Sequence, residues 1–94
     1  MAQLIIQNRV ADYDRWHAVF TEMESFRRGR GAVGHRVYRD PADPNVLVII
    51  TDYPALADAQ AVVGDPELRA AMERAGVEGP PQMWIMDEVE AKSY

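Results

Sequence analysis

The chain contains no cysteine, which removes disulfides, thiolate nucleophiles and cysteine-held metals from consideration. Histidine is scarce as well. His17 and His35 are the only two, and their separation fits neither HxH nor HxxxH spacing, so no metal site is expected. Positive charge is in short supply, with 10 Lys and Arg against 15 Asp and Glu and a net charge of −5 at pH 7. Phosphate backbones and anionic lipids are recognised by clustered cations, so neither nucleic acid nor a membrane surface is expected as a partner. No apolar stretch approaches the roughly 20 residues needed to cross a bilayer. The N-terminal "MAQLIIQNRV" lacks a charged segment followed by a long apolar one, so it does not read as a signal peptide. A soluble cytoplasmic protein is the expectation. Ser25 and Ser93 have no nucleophile-elbow context, so acyl-transfer chemistry of the Ser-His-Asp type is not indicated.

What is present is one domain's worth of alternating elements. At 94 residues the chain reads as a single domain over 1–94. A chain this short buries only about 60–65% of its unfolded surface, so a partner subunit would help it. "AQLIIQNRV" (2–10) reads as a strand. Asp12 then offers an N-cap oxygen, and Tyr13, Trp16, Phe20, Met23 and Phe26 recur at three- and four-residue steps. That periodicity predicts one amphipathic helix of about sixteen residues, ending at Gly29 or Gly31. "GHRVYRD" (34–40) is a second strand and "PADPN" (41–45) a hairpin loop, because two prolines cannot continue a ladder.

"VLVIITDY" (46–53) is the third strand, and its first five residues are all apolar. A run without polar alternation predicts a strand buried on both faces. Pro54 ends it. "ALADAQAVV" makes a short helix, and Asp65 with Pro66 starts another whose inward stripe is Leu68, Ala71, Met72 and Ala75, closed by Gly76. "VEGPPQ" reads as a linker and "MWIMDEVE" (83–90) as the fourth strand.

The order β-α-β-β-α-β, with its second helix in two pieces, is the α+β ferredoxin-like arrangement: an antiparallel four-stranded sheet with helices on one face. Helices on one side leave the other side of the sheet wet, yet "VLVII" and "MWIM" look buried on both. A second copy of the same sheet is the simplest cover. The expectation is therefore a twofold homodimer packed through its sheet faces, burying about 1,200–2,000 Å² in total.

"VADYDRWHAVF" (10–20), "GHRVYRDPADPNVLVIITDY" (34–53) and "DPELRAAMERAGVEGPP" (65–81) together resemble the antibiotic-biosynthesis-monooxygenase-like group of the dimeric α/β-barrel superfamily, some of whose members are labelled cyclases. The resemblance spans essentially the whole chain. It implies ferredoxin-like protomers whose sheets close into a shared barrel. It further implies a pocket between sheet and helices for a small hydrophobic molecule, lined by asparagine, tryptophan, tyrosine and arginine. Asn8, Trp16, Tyr13, Arg36 and Tyr38 are this chain's residues of those types. A cofactor-free monooxygenase or cyclase acting on an aromatic or polyketide-type compound is what the resemblance implies. A non-catalytic small-molecule-binding or accessory dimer is the alternative on the same fold.

Among candidate residues, His17 lies on the flank of the first helix, away from the Trp16, Phe20 and Met23 centre. It reads either as a general acid/base or as a half-exposed histidine without a task. Asn8 shares strand parity with Leu4 and Ile6. It either orients a ligand carbonyl or enolate, or is satisfied by water near the strand end. His35 shares parity with Val37, and Arg36 with Tyr38; one pair faces the helices, and an inward arginine would suit an anionic or enolate-like ligand, the alternative being an edge strand protected by charge. Trp84 and Met86 share a face and read as a pocket wall for a flat ring, or as core. Arg27, Arg28 and Arg30 in "FRRGRG" read as a phosphate or acidic-ligand site or as cations closing the last helical turn before a glycine stop. "GRGAVG" (29–34) matches G-x-G-x-x-G by letter only, since it follows a helix and precedes a strand, the reverse of dinucleotide-binding context. Catalysis is expected from His17, Asn8 and Arg36. Substrate contacts are expected from Tyr13, Trp16, His35, Tyr38, Trp84 and Met86, with no cofactor.

Overall fold

Alternation along β1 (Ala2–Val10) sets the architecture. Ala2, Leu4, Ile6, Asn8 and Val10 are buried, while the residues between them are half-buried or exposed. A computed structural model of residues 1–94 arranges the chain as β1, α1 (Tyr13–Glu22), α2 (Glu24–Gly29), β2 (Gly34–Arg39), β3 (Val46–Tyr53), α3 (Leu56–Val63), α4 (Pro66–Arg74) and β4 (Val77–Asp87). The four strands form one antiparallel sheet in the order β2-β3-β1-β4, with the helices on one face. This is the α+β ferredoxin-like fold read from the sequence.

The local signals act where expected. Asp12 caps α1, its carboxylate accepting from the Arg15 backbone N–H at 3.0 Å, and Asp65 caps α4 ahead of Pro66. In the β2–β3 loop, Asp40 and Asp43 accept from the Ala42 and Asn45 N–H groups at 2.8 and 3.1 Å, the side-chain turns that hold such a loop.

Three expectations are corrected. The single helix after Asp12 is two helices, because Met23 has φ −83° and ψ 3°, off the helical values, and interrupts the ladder. The expected linker "VEGPPQ" is the first half of β4, which starts at Val77 and ends at Asp87 instead of running over 83–90. Two prolines are tolerated there because β4 is an edge strand. Gly79, at φ +70°, lies where the β1–β4 register shifts between Gln7 and Arg9, a bulge that most side chains would strain. Finally, β3 is not buried on both faces within one chain. Leu47, Ile49, Thr51 and Tyr53 are buried toward the helices, and Val46, Val48, Ile50 and Asp52 on the opposite face are half-buried.

On that open face, register places Trp84, Ile5, Ile50 and Arg36 in one row across the sheet. Arg36 closes the row in a two-point ion pair with Asp52, at 3.0 and 3.3 Å, and Gln3 donates to the same carboxylate at 3.1 Å. Burial pushes the Asp52 carboxyl up, but the hydrogen bonds from Arg36 and Gln3 outweigh it and hold the group below its ordinary value. A folded-state pKa below the unfolded one contributes stability that is present above the unfolded value and lost as pH falls through the folded one. Urea unfolding between pH 6 and pH 3 is therefore expected to show a stability loss on acidification. Asp52→Asn should lose stability at pH 6 and show a shallower acid dependence.

The helix-side core is divided. Ala2, Leu4, Ile6, Tyr53, Ala59 and Val62 form one cluster, and Val10, Trp16, Leu47, Ile49 and Ala75 form the other. Both use β1 and β3, and the space where they meet is not filled.

Candidate functional site

That unfilled space is a cavity of about 70 Å³ between the sheet and the helices. Its walls draw on both clusters: Leu4, Ile6, Tyr53 and Val62 from one, Trp16, Ile49 and Ala75 from the other, with Phe20, Met23 and Phe26 completing the helix side. The lining is almost wholly apolar. The polar exceptions are Asn8, Thr51, the Tyr53 hydroxyl and Arg27.

Two of these carry unpaired buried atoms. Asn8 is 4% exposed, and its side-chain carbonyl oxygen has no hydrogen-bond partner. β1 alternation puts it there. Position 8 follows Leu4 and Ile6 on the helix-facing side, so an amide occupies a place where an aliphatic residue would continue the core. The second is the Nη2 of Arg27, also buried and unpaired. Arg27 Nη1 donates to the Phe20 carbonyl at 2.8 Å, and the guanidinium lies 3.7 Å from the Phe20 ring centroid. Burial pulls the Arg27 pKa down, against smaller opposing effects of Glu24 and Tyr53. In Tyr53 burial raises the phenol, and Arg27 partly offsets it. An unpaired buried polar group costs about 1–3 kcal/mol, so two around one cavity mark a place where the fold gives up stability.

A second, polar cleft of about 480 Å³ adjoins the first. Arg27 and Thr51 belong to the walls of both, and Glu24, Arg28, Gly34 and His35 line the outer one. His35 faces the helix side of the sheet opposite Thr51 and meets the Phe20 ring edge-on, with centroids 4.9 Å apart. Burial, followed by the nearby Arg27 charge, holds its imidazole below the ordinary histidine value. No three histidine, aspartate or glutamate side chains converge as a metal ion would need.

The expected site residues are thus divided among several places. Asn8 and Trp16 line the inner cavity, Trp16 stacking on Phe20 at 4.7 Å between centroids. His35 lines the outer cleft. His17 is exposed and stacks on Tyr13, with centroids 5.7 Å apart, and neither ring is part of the cavity wall. Arg36, Tyr38, Trp84 and Met86 stand on the opposite face of the sheet, where strand parity carries them, and do not meet the cavity. Thr51 and Tyr53 were not among the expected site residues, and Arg27 was read only together with Arg28 and Arg30, as a phosphate or acidic-ligand site or as a helix-end cation. For Arg27 a signal exists. Trp16, Phe20, Met23 and Arg27 continue one helical stripe, and a cation on an apolar stripe is out of place.

No protein-family model and no curated protein matches the sequence. Solved structures match its fold. SnoaB, a cofactor-independent oxygenase from Streptomyces nogalater, superposes with a TM-score of 0.77 over 96% of this chain and 94% of its own, at 14% identity. A structure described as an antibiotic biosynthesis monooxygenase matches 96% of this chain and 100% of its own with a TM-score of 0.67 and 18% identity. A proposed antibiotic biosynthesis monooxygenase from Nitrosomonas europaea matches the same shares with a TM-score of 0.67 and 20% identity. The chain has the fold of these proteins. The resemblance noted in the sequence is thereby carried at the level of the fold, and function has to be argued from the cavity.

Proposed function

We propose that this chain is a small cofactor-independent monooxygenase or cyclase-like enzyme, acting on a hydrophobic aromatic or polyketide-type compound in the cavity between sheet and helices. The carrying observation is Asn8, an amide 4% exposed with an unpaired carbonyl oxygen in an otherwise apolar wall. An amide offers two donors and an acceptor to a ligand. Its NH2 can donate to a substrate carbonyl oxygen, more firmly as negative charge develops there in an apolar surrounding, while its unpaired carbonyl oxygen can accept from a substrate hydroxyl. Both cyclisation by carbon–carbon bond formation and oxygenation of an activated methylene pass through such an enolate. In the oxygenation the substrate itself supplies the electrons. Deprotonation forms the enolate, carbon adds O₂, one oxygen stays as a carbonyl and the other leaves as water. His17 and Arg36, expected as proton carrier and anion binder, lie away from the cavity, so the chemistry proposed here rests on Asn8.

The second reading, a non-catalytic small-molecule-binding dimer, is favoured by the lining itself. Arg27 and Tyr53 are its only titratable groups, and neither is an effective proton carrier near neutral pH. Oxygen uptake and product mass, measured with anthrone-type and linear aromatic polyketide-type compounds, separate the two. The enzyme reading expects uptake above the uncatalysed rate and a product gaining an oxygen or losing water. Binding without either result leaves the accessory reading.

We further propose that the open sheet face is covered by a second copy of the chain. Trp84 is 40%, Met86 49% and Tyr38 52% exposed on one face, three large apolar side chains that a partner sheet would take out of water. Only 14 of 94 residues are buried in the single chain, so covering this face would enlarge a small core.

A further inference from the structure

We infer that the ligand of this cavity is an acid bound as its anion, with the apolar end in the inner cavity and the anionic end at Arg27, where the cavity meets the outer cleft. The inference rests on the cavity being a ligand site, as proposed above, and adds the chemical class.

Three observations carry it. The first is the difference among the arginines of "FRRGRG". Arg28 pairs with Glu24 at 3.6 Å and Arg30 with Asp65 at 2.8 Å, and both are largely exposed. Arg27 is half-buried and makes no salt bridge; one of its terminal nitrogens donates to the Phe20 carbonyl and the other has no partner. A guanidinium removed from water and left with a free donor is stabilised by an anion far more than by a neutral acceptor.

The second is position. Arg27 is shared by an apolar cavity of about 70 Å³ and a polar cleft of about 480 Å³. A filled inner cavity accommodates only part of a drug-sized ligand, whose pockets usually span about 300–1,000 Å³. The remainder of any such ligand passes Arg27 into the cleft, so a polar end is met there by the guanidinium.

The third is the charge around the cleft. Arg27 and Arg28 face a single carboxylate, Glu24, which lies 3.6 Å from Arg28, so the cleft wall keeps one net positive charge, and His35 adds an imidazole beside it. The Phe20 ring, under Arg27 and against His35, holds the guanidinium at the junction. Carboxylates, phenolates and enolates of hydrophobic acids share the required chemistry: a delocalised oxyanion next to an apolar body.

The test compares two molecules of equal shape, 4-ethylbenzoate and 4-ethylbenzamide, by calorimetry at pH 7. Emission of Trp16, which lines the cavity, is followed in a Trp84→Phe background. A charged-group hydrogen bond predicts that the carboxylate binds about tenfold to a hundredfold more tightly than the amide. Arg27→Met should remove that preference while changing amide affinity by less than about twofold, and Arg27→Lys should keep part of it. Arg28→Met should leave it in place. Equal affinity of wild type for the two probes overturns the inference without any variant having to fold. So does a preference that survives Arg27→Met or disappears with Arg28→Met. The catalytic reading fails separately: selective binding of the acid with no turnover of any compound removes the enzyme and keeps the acid site. Turnover of neutral compounds with no preference for the anion does the reverse.

Discussion

Trp84→Glu is expected to convert the protein from a dimer into a monomer. Sedimentation equilibrium or light scattering at micromolar concentration should give twice the 10.6 kDa chain mass for the wild type and the chain mass for the variant. Trp84 lies in register with Ile5, which pairs with Ile50, so the substitution puts a carboxylate at the edge of the most apolar row of the open face. The one cation of that row, Arg36, sits at its far end and is engaged by Asp52 at 3.0 Å. A buried, unpaired charge costs several kcal/mol, and a twofold interface incurs it twice because each copy supplies the same residue. At about 1.4 kcal/mol per tenfold in Kd, that exceeds what an interface of standard size has in reserve at micromolar concentration. A wild-type monomer under these conditions would remove the dimer from the proposal. A dimeric Trp84→Glu variant would move the interface elsewhere.

Asn8→Leu is expected to make the protein more stable and less competent. The unpaired Asn8 oxygen costs the folded state about 1–3 kcal/mol, and leucine, of the same branching and able to take up part of the adjoining cavity, removes that cost. For a domain of this length each kcal/mol raises Tm by about 4–8 °C. If Asn8 holds the developing oxyanion, the same change should lower kcat by about 100- to 1,000-fold, the usual effect of removing one such donor. Calorimetric melting together with steady-state turnover reads both. The combination is the informative result, since a residue kept for packing alone would lose stability on replacement and leave chemistry untouched. A lowered Tm with full turnover would show that Asn8 is held by a contact made in the folded protein and has no part in the reaction.

The identities of the elements were legible because they depend on neighbours in the chain. Asp12 and Asp65 cap helices because a side-chain oxygen reaches N–H groups two or three residues on. Strand parity likewise assigned Asn8 to the Leu4–Ile6 face and paired Arg36 with Tyr38. Parity does not say which face meets the helices. That depends on β3 lying between β1 and β2, which sets His35 opposite Thr51 and turns Arg36 toward Asp52 on the far side. The four residues on that open face were grouped with a pocket because an aromatic or arginine on an apolar strand looks the same from either side.

Arg27 illustrates the other limit. In sequence it is one of three arginines before a glycine, and helix-end cations are its ordinary explanation. Whether a cation has a carboxylate beside it is decided by long-range contacts: Asp65 reaches Arg30 from 35 residues away, and nothing reaches Arg27 Nη2. Periodicity and capping, being local, determined the order of elements, the α+β class and the polar intruder at Asn8. The meeting of two core clusters around an unfilled space, and the guanidinium beside it with one nitrogen unpaired, come from packing between elements distant in the chain. No local pattern encodes which side chains that packing leaves without a partner.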